Sequence, residues 1–131
     1  HCVVVGASRL VGAPLSMMLA EQGRTTITIC HKYTENLASH TKAADILIVA
    51  VGKPGLITGD MVKEGVIVID VGTTRVEDPS KPKGFVLKGD VDFDSVAPKS
   101  AMITPVPGGV GPMTIVSLLM NTLKASEQRT S

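Results

Sequence analysis

Short apolar runs alternate with stretches of helical spacing along this chain. Cys2 to Val5 is an apolar run that ends at Gly6 and predicts a first strand. Pro14 to Gln22 carries Leu15, Met18 and Leu19 at helical spacing, with Pro14 suited to a first turn and Gly23 to a stop. Thr26 to Cys30 alternates Ile27 and Ile29 with β-branched threonines and predicts a second strand. Thr34 is placed to cap a helix over Glu35 to Ala44. Ile46 to Val51 and Val66 to Val71 are apolar on both faces, as buried parallel strands are, with Asp70 the one interruption. Between them Thr58 is placed to cap a short turn around Asp60 to Val62.

The second half of the chain is more heavily punctuated. Glu77 to Gly84 reads as a polar, proline-rich surface loop, and Phe85 to Lys88 as a short edge strand. Asp92 is placed to cap a short helix that Pro98 ends, and Met102 to Thr104 is a short strand. A glycine-proline loop, Pro105 to Pro112, leads into a last helix from Met113 to about Glu127, with a frayed tail from Gln128. Ile115, Leu118, Leu119, Thr122 and Leu123 give that helix the spacing of a core-facing stripe. Strand, helix, strand, helix, strand with short loops predicts right-handed crossovers. The fold expected is α/β, a Rossmann-like doubly wound and mostly parallel sheet with helices on both faces, in one domain. Ligands then bind beyond the carboxyl ends of the strands. The loops gathered there are Gly6 to Ala13, Cys30 to Thr34, Gly52 to Gly55, Gly72 to Arg75 and Pro105 to Pro112.

Composition narrows the function. The chain has 131 residues, 44% of them hydrophobic, which suffices for a buried core. Its 13 Lys and Arg nearly balance 12 Asp and Glu, so no global basic field points to nucleic acid. Tyr33, Phe85 and Phe93 are the only aromatics, too few for a base-stacking surface. Cys2 and Cys30 predict two buried free thiols in a reducing compartment rather than a disulfide framework, and the location expected is cytoplasmic, with mitochondrial as the alternative. No apolar stretch reaches the ~18 residues of a membrane span, and no signal-peptide pattern opens the chain. The start at His1-Cys2, directly in a core strand, predicts a piece cut from a longer protein.

Two loops carry candidate chemistry. VVVGASRLVGAP, Val3 to Pro14, follows a strand and opens a helix, the context of a dinucleotide site. Gly6 allows the sharp turn and Gly12 close helix packing, while Ser8 stands where the middle glycine of G-x-G-x-x-G would be. The N–H groups at the helix start face a diphosphate in such a site, and Ser8 adds a hydroxyl. The second strand ends Cys30-His31-Lys32 instead of in an acid that binds ribose hydroxyls. A cation there favours a 2′-phosphate, hence NADP over NAD as cofactor, with Arg9 as a second candidate. The other loop, TPVPGGVGPMT from Thr104, packs three prolines and three glycines into Pro105 to Pro112. Proline stiffens such a loop while glycine lets backbone approach a ligand.

Other candidates fall away. His31 and His40 lack metal-ligand spacing and read as surface or loop residues. Asp90, Asp92 and Asp94 imitate the start of a calcium loop, but Ser95 and Ala101 stand where Gly and Glu are needed, leaving a helix cap and surface charges. Asp70 needs hydrogen-bond partners if buried. No metal site is expected. There is no Y-x-x-x-K pair, since Leu37 follows Tyr33 at that spacing, and no proton-transfer constellation assembles.

The stretches VGASRLVGAP, TICHKYT, ADILIVAVGKPGLI, VIVIDVGTTRV, KGDVDF and ITPVPGGVGPMT, in this order, resemble the bifunctional methylenetetrahydrofolate dehydrogenase/cyclohydrolases from Val3 to about Ala125. The resemblance implies the NAD(P)-binding domain of a two-domain enzyme whose other domain binds folate and carries the catalytic Lys. It implies oxidation of 5,10-methylenetetrahydrofolate to the methenyl form with NAD(P)+, then hydrolysis to 10-formyltetrahydrofolate. Gly6, Ala7 and Ser8 then contact the cofactor phosphates, Lys32 lies near the adenosine phosphate, and Thr73 near the nicotinamide. Arg9, Gly12 and Gly52 complete the candidate cofactor set. Pro105, Val106, Pro107, Gly108 and Gly109 line the cleft against folate substrate. Homodimers form through this domain in the family. Ala7 replaces the Arg of its usual G-R-S, Lys32 the Ser of C-H-S, and Thr73-Thr74 the Ile-Asn of D-V-G-I-N-R. Lys32-Tyr33-Thr34 also resembles the R-Y-T of NAD-preferring mitochondrial members. The alternative is a degenerate, non-catalytic module used for dimerisation or partner binding, motivated by Ala7 and Thr73-Thr74.

Overall fold

Five of the apolar runs lie side by side as parallel strands in a computed structural model that describes residues 1–129. They are β1 (Cys2–Val5), β2 (Ile27–Cys30), β3 (Ile46–Val49), β4 (Val66–Asp70) and, beyond a hairpin, β7 (Ser100–Ile103), in the order β2-β1-β3-β4-β7. The hairpin is β5 (Thr74–Glu77) paired antiparallel with β6 (Phe85–Lys88). The helices are α1 (Gly12–Glu21), α2 (Leu37–Lys42), α3 (Phe93–Val96) and α4 (Val110–Arg129).

The strands alternate their side chains between two cores, as their pleat requires. Val3, Val5, Leu47, Val49, Val66 and Val68 pack on one face with Leu37 of α2, Val96 of α3 and Met61 of a short turn. Cys2, Val4 and Ile48 pack on the other with Leu15 and Leu19 of α1. Full burial of one such aliphatic side chain contributes roughly 1.5–3 kcal/mol. Helices therefore lie on both faces of a mostly parallel sheet, the α/β architecture expected. Both cysteines are buried free thiols, and burial pushes each thiol above its ordinary pKa.

Several local expectations need correction. Thr34 does not cap α2: its hydroxyl accepts the N–H of His31 at 2.9 Å, and α2 begins only at Leu37 after Asn36 in a left-handed conformation. Thr58 and Asp92 precede their short turns without a side-chain cap bond, the Thr58 hydroxyl donating to Asp60 instead. Thr74 and Arg75 belong to β5, not to a loop, so the polar loop of the hairpin runs from 78 to 84. The glycine-proline loop ends early, because α4 starts at Val110 and takes in Pro112 near its first turn. The fraying expected from Gln128 is absent as far as Arg129; residues 130–131 lie outside the described ones.

The largest departure is α4. Its periodicity does make a helix, yet none of its described residues is buried, and Leu118 and Leu119 are 66% and 65% exposed. The stripe that reads as core-facing has nothing over it among the described residues.

The strand order reverses at β1, which has β2 on one side and β3 on the other. In open parallel sheets the crevice at such a reversal, outside the carboxyl ends, is where ligands enter. Gly6 and the segment after β3 stand there.

Candidate cofactor-binding site

Gly6 turns the chain sharply out of β1 at φ +114°, a conformation open to glycine, and donates its N–H to the Cys30 carbonyl at 2.9 Å. Gly12 comes back so close that a Cβ on it would lie 1.6 Å from the Gly6 carbonyl oxygen. Buried Ser16 locks the arrangement by donating to the Gly12 carbonyl at 2.7 Å. Ala7, Ser8 and Arg9 are exposed on the rim of this turn. Two N–H groups of the helix entry are already used within the loop, Val11 on Ser8 Oγ and Ala13 on the Ser8 carbonyl. Ser8 thus acts first as an acceptor, its hydroxyl proton left to point elsewhere.

Beside the turn lies a pocket of about 380 Å³. Val5, Leu37, Val51 and Leu56 give it apolar walls, and His31, Lys32 and Lys53 give it nitrogen-bearing groups. No carboxylate lines it. The Lys32 ammonium sits 4.7 Å from the centroid of the exposed Tyr33 ring, and the His31 ring accepts the Tyr33 N–H at 3.2 Å. Apolar walls with cations and no acid suit a flat base bearing an anionic substituent. Lys32, expected from the sequence at the end of the second strand, lines this pocket; Arg9 does not. Lys53 was missed, although the loop that carries it was expected at this end of the sheet, because a lysine in a glycine-proline loop has no signature of its own.

A second cleft, about 500 Å³, opens beyond β4. Thr73 and Val71 line it together with Pro105, Val106, Pro107, Gly108 and Gly109, so the residues expected near the nicotinamide and near the folate meet in one place. The peptide bond between Val106 and Pro107 is cis. Gly52 lines neither pocket; it is exposed at φ +71°.

Two buried acids tie these loops together. Asp70 accepts the N–H groups of Gly72, Asp90 and Val91 at 2.9, 3.1 and 2.9 Å, which answers its need for partners. Its own N–H donates to the Thr104 hydroxyl at 2.9 Å, just before the glycine-proline loop. Burial pushes its carboxyl above the usual carboxylate range, against the pull of those three N–H donors. Asp90 is no surface charge, contrary to the sequence reading: it is fully buried and accepts the N–H groups of Val51 and Gly52. The signal that could have found it is the Gly89-Asp90-Val91 context, a charge between a glycine and an apolar residue at a strand end. Among the described residues no three or more His, Cys, Asp or Glu side chains gather as a metal site would require.

A glycine turn at the reversal of a parallel sheet, with a cation-bearing pocket beside it, defines a Rossmann-like nucleotide-binding domain. The model of the tetrahydrofolate dehydrogenase/cyclohydrolase NAD(P)-binding domain matches residues 1–130, and this chain belongs to that family. A bifunctional protein FolD of Cytophaga hutchinsonii is 58% identical over 96% of this chain, which covers 44% of that protein. Another, from Wolinella succinogenes, is 60% identical over 98% of the chain and 43% of its own length. Among solved structures, a Trypanosoma brucei N5,N10-methylenetetrahydrofolate dehydrogenase-cyclohydrolase complexed with NADP and an inhibitor aligns with a TM-score of 0.91 at 45% identity. The alignment covers 98% of this chain and 44% of that one. A bifunctional FolD from Campylobacter jejuni gives 0.88 at 50% identity, over 98% and 43%. The chain thus spans less than half the length of these relatives. No helix of the described residues is long and apolar enough to cross a membrane.

Proposed function

We propose that this chain is the cofactor half of an enzyme that oxidises 5,10-methylenetetrahydrofolate to 5,10-methenyltetrahydrofolate with NADP+ and hydrolyses the product to 10-formyltetrahydrofolate. The observation that carries the reading is the cleft that brings Thr73 together with Pro105 to Gly109, at the carboxyl end of a sheet whose family is NAD(P)-binding. The cofactor supplies a hydride acceptor; the chain's own residues bind and orient it. Gly6, Ala7 and Ser8 meet the phosphates, with Gly12 letting the helix approach and Arg9 on the rim. Lys32 takes the 2′-phosphate, Gly52 stands in the loop after β3 on the cofactor side, and Thr73 faces the nicotinamide. Pro105, Val106, Pro107, Gly108 and Gly109 present rigid backbone to the folate. The catalytic Lys belongs to the folate half, so this chain alone turns nothing over.

Among the described residues the outer edge of β2 has no pairing strand, and Ile29 on it is 45% exposed, which supports a homodimer formed through this edge. The two free thiols suit a reducing compartment, here read as the cytoplasm. Nothing in the site favours a non-catalytic module. The test is a calorimetric titration of NADP and of NAD into the chain. Binding of NADP with the preference expected from a cationic pocket supports the reading; no binding of either nucleotide at millimolar concentration defeats it.

A further inference from the structure

Asp90 makes none of the cofactor or substrate contacts proposed above, yet it is fully buried. One carboxylate oxygen accepts the N–H groups of Val51 and Gly52 at 2.6 and 2.8 Å, 39 and 38 residues away in sequence. The other, Oδ1, is buried without a hydrogen-bond partner among the described residues. This carboxylate lies against Gly72, where a Cβ would come within 2.2 to 2.6 Å of it. Val51 lines the pocket with Lys32 and Lys53, and Gly72 precedes Thr73 in the cleft. One side chain therefore touches the segments that bound both cavities. A buried carboxylate with an unsatisfied oxygen is costly, and what this one holds in return is the pair of N–H groups after β3.

The geometry points to Asp90 as a positioning residue that holds the two cavities at the separation one dinucleotide spans. The inference rests on the cofactor reading above. The two halves of a linked ligand reinforce each other only when their sites are held at a matching distance. Without the carboxylate, the N–H groups of Val51 and Gly52 lose their acceptor and the segment after β3 is free to shift relative to Gly72. Val5, Leu37 and Leu56 stay packed on the core, so the pocket beside Lys32 keeps its other apolar walls.

The 131-residue chain, Asp90→Ala and Asp90→Asn are titrated by calorimetry with two probes. On the cofactor reading, adenosine 2′,5′-bisphosphate engages the first pocket alone and NADP both cavities. In Asp90→Ala the NADP affinity is expected to fall on the order of tenfold while that for the bisphosphate moves less than about twofold. Asp90→Asn, whose amide oxygen can accept both N–H groups, is expected to recover most of the loss. A parallel fall for both probes in Asp90→Ala, or an unchanged NADP affinity, overturns the assignment. Should Asp90→Ala not fold, Gly72→Ala displaces the same carboxylate from the opposite side and is judged by the same two probes. An unmodified chain that binds neither probe sinks the cofactor reading and this inference together; a failure confined to the variants sinks this inference alone.

Discussion

The Gly6 carbonyl oxygen occupies the space in which a Cβ on Gly12 would sit, only 1.6 Å away. The turn after β1 and the start of α1 are thus fitted backbone to backbone, and neither side is a flexible side chain that could yield. Gly12→Ala should push α1 off the turn. Overpacking of this kind costs roughly 1–3 kcal/mol, which urea unfolding would read as a lowered midpoint. Because Ala7 and Ser8 ride on the same turn, NADP affinity should fall with it. A variant as stable as the unmodified chain would show that the turn relaxes freely.

Lys32 is exposed beside a pocket that no acid lines. Tyr33, under its ammonium at 4.7 Å, favours holding the charge at the pocket. On the proposed cofactor reading, Lys32→Ala removes a charge-assisted contact to the 2′-phosphate and should weaken NADP on the order of tenfold. NAD, which lacks that phosphate, should bind the variant as it binds the original. Equal losses for both nucleotides would place Lys32 elsewhere on the cofactor. Raising the salt concentration should narrow the gap between the two nucleotides in the unmodified chain, since the pocket is open to solvent.

Asp70 gives stability a pH dependence of definite sign. Burial, its largest influence, pushes the carboxyl up, the N–H groups of Val91, Asp90 and Gly72 pull it down, and the nearby Asp90 charge adds to the rise. A group that holds its proton more tightly when folded binds extra proton in the window between the unfolded and folded pKa values. Its contribution is full below the unfolded carboxylate value of about 3.9 and is lost as pH rises through the raised one. Asp70→Asn does not titrate. The stability of the unmodified chain relative to this variant should therefore decline from about pH 4 upward, as followed by urea unfolding across a pH series. A relative gain over that range would mean that the three N–H bonds outweigh burial.

The legible parts of this molecule were those where one physical signal dominates. Ile46–Val49 and Val66–Asp70 are apolar and mostly β-branched apart from Leu47 and the closing Asp70, and they became central strands with Leu47, Val49 and Val66 fully buried. Gly6 and Gly12 declared a tight turn before a helix, and that turn exists. β5 was hidden because Thr74, Arg75, Val76 and Glu77 alternate charge with half-burial, and its pairing partner lies across a seven-residue polar loop, 78 to 84. Asp90 was misread for a different reason. Its role depends on N–H groups nearly forty positions away, and no local pattern reports where distant backbone donors will point. Thr34 and Thr58 carry capping side chains at plausible positions, but nearer partners, the His31 N–H and the Asp60 carboxylate, took their hydroxyls.

The exposed stripe of α4 yields the sharpest contrast between sequence pattern and energetics. Leu119 and Leu47 look alike in sequence, each within an apolar run, yet Leu47 is fully buried and Leu119 is 65% exposed. Leu47→Ala leaves a cavity in a packed core and should cost about 2–5 kcal/mol in urea unfolding. Leu119→Glu keeps a good helix former on an uncovered face and should change stability by no more than about 0.5 kcal/mol. Met113, Ile115, Val116, Leu118, Met120 and Leu123 of the same helix are exposed as well, from 44% to 66%, more apolar area than scattered single side chains present. The chain on its own should therefore bind a hydrophobic dye in its native state, and Leu119→Glu should reduce the signal without moving the unfolding midpoint. A large loss of stability in Leu119→Glu would mean that this stripe packs within the chain, and the separation of α4 from the core would have to be abandoned.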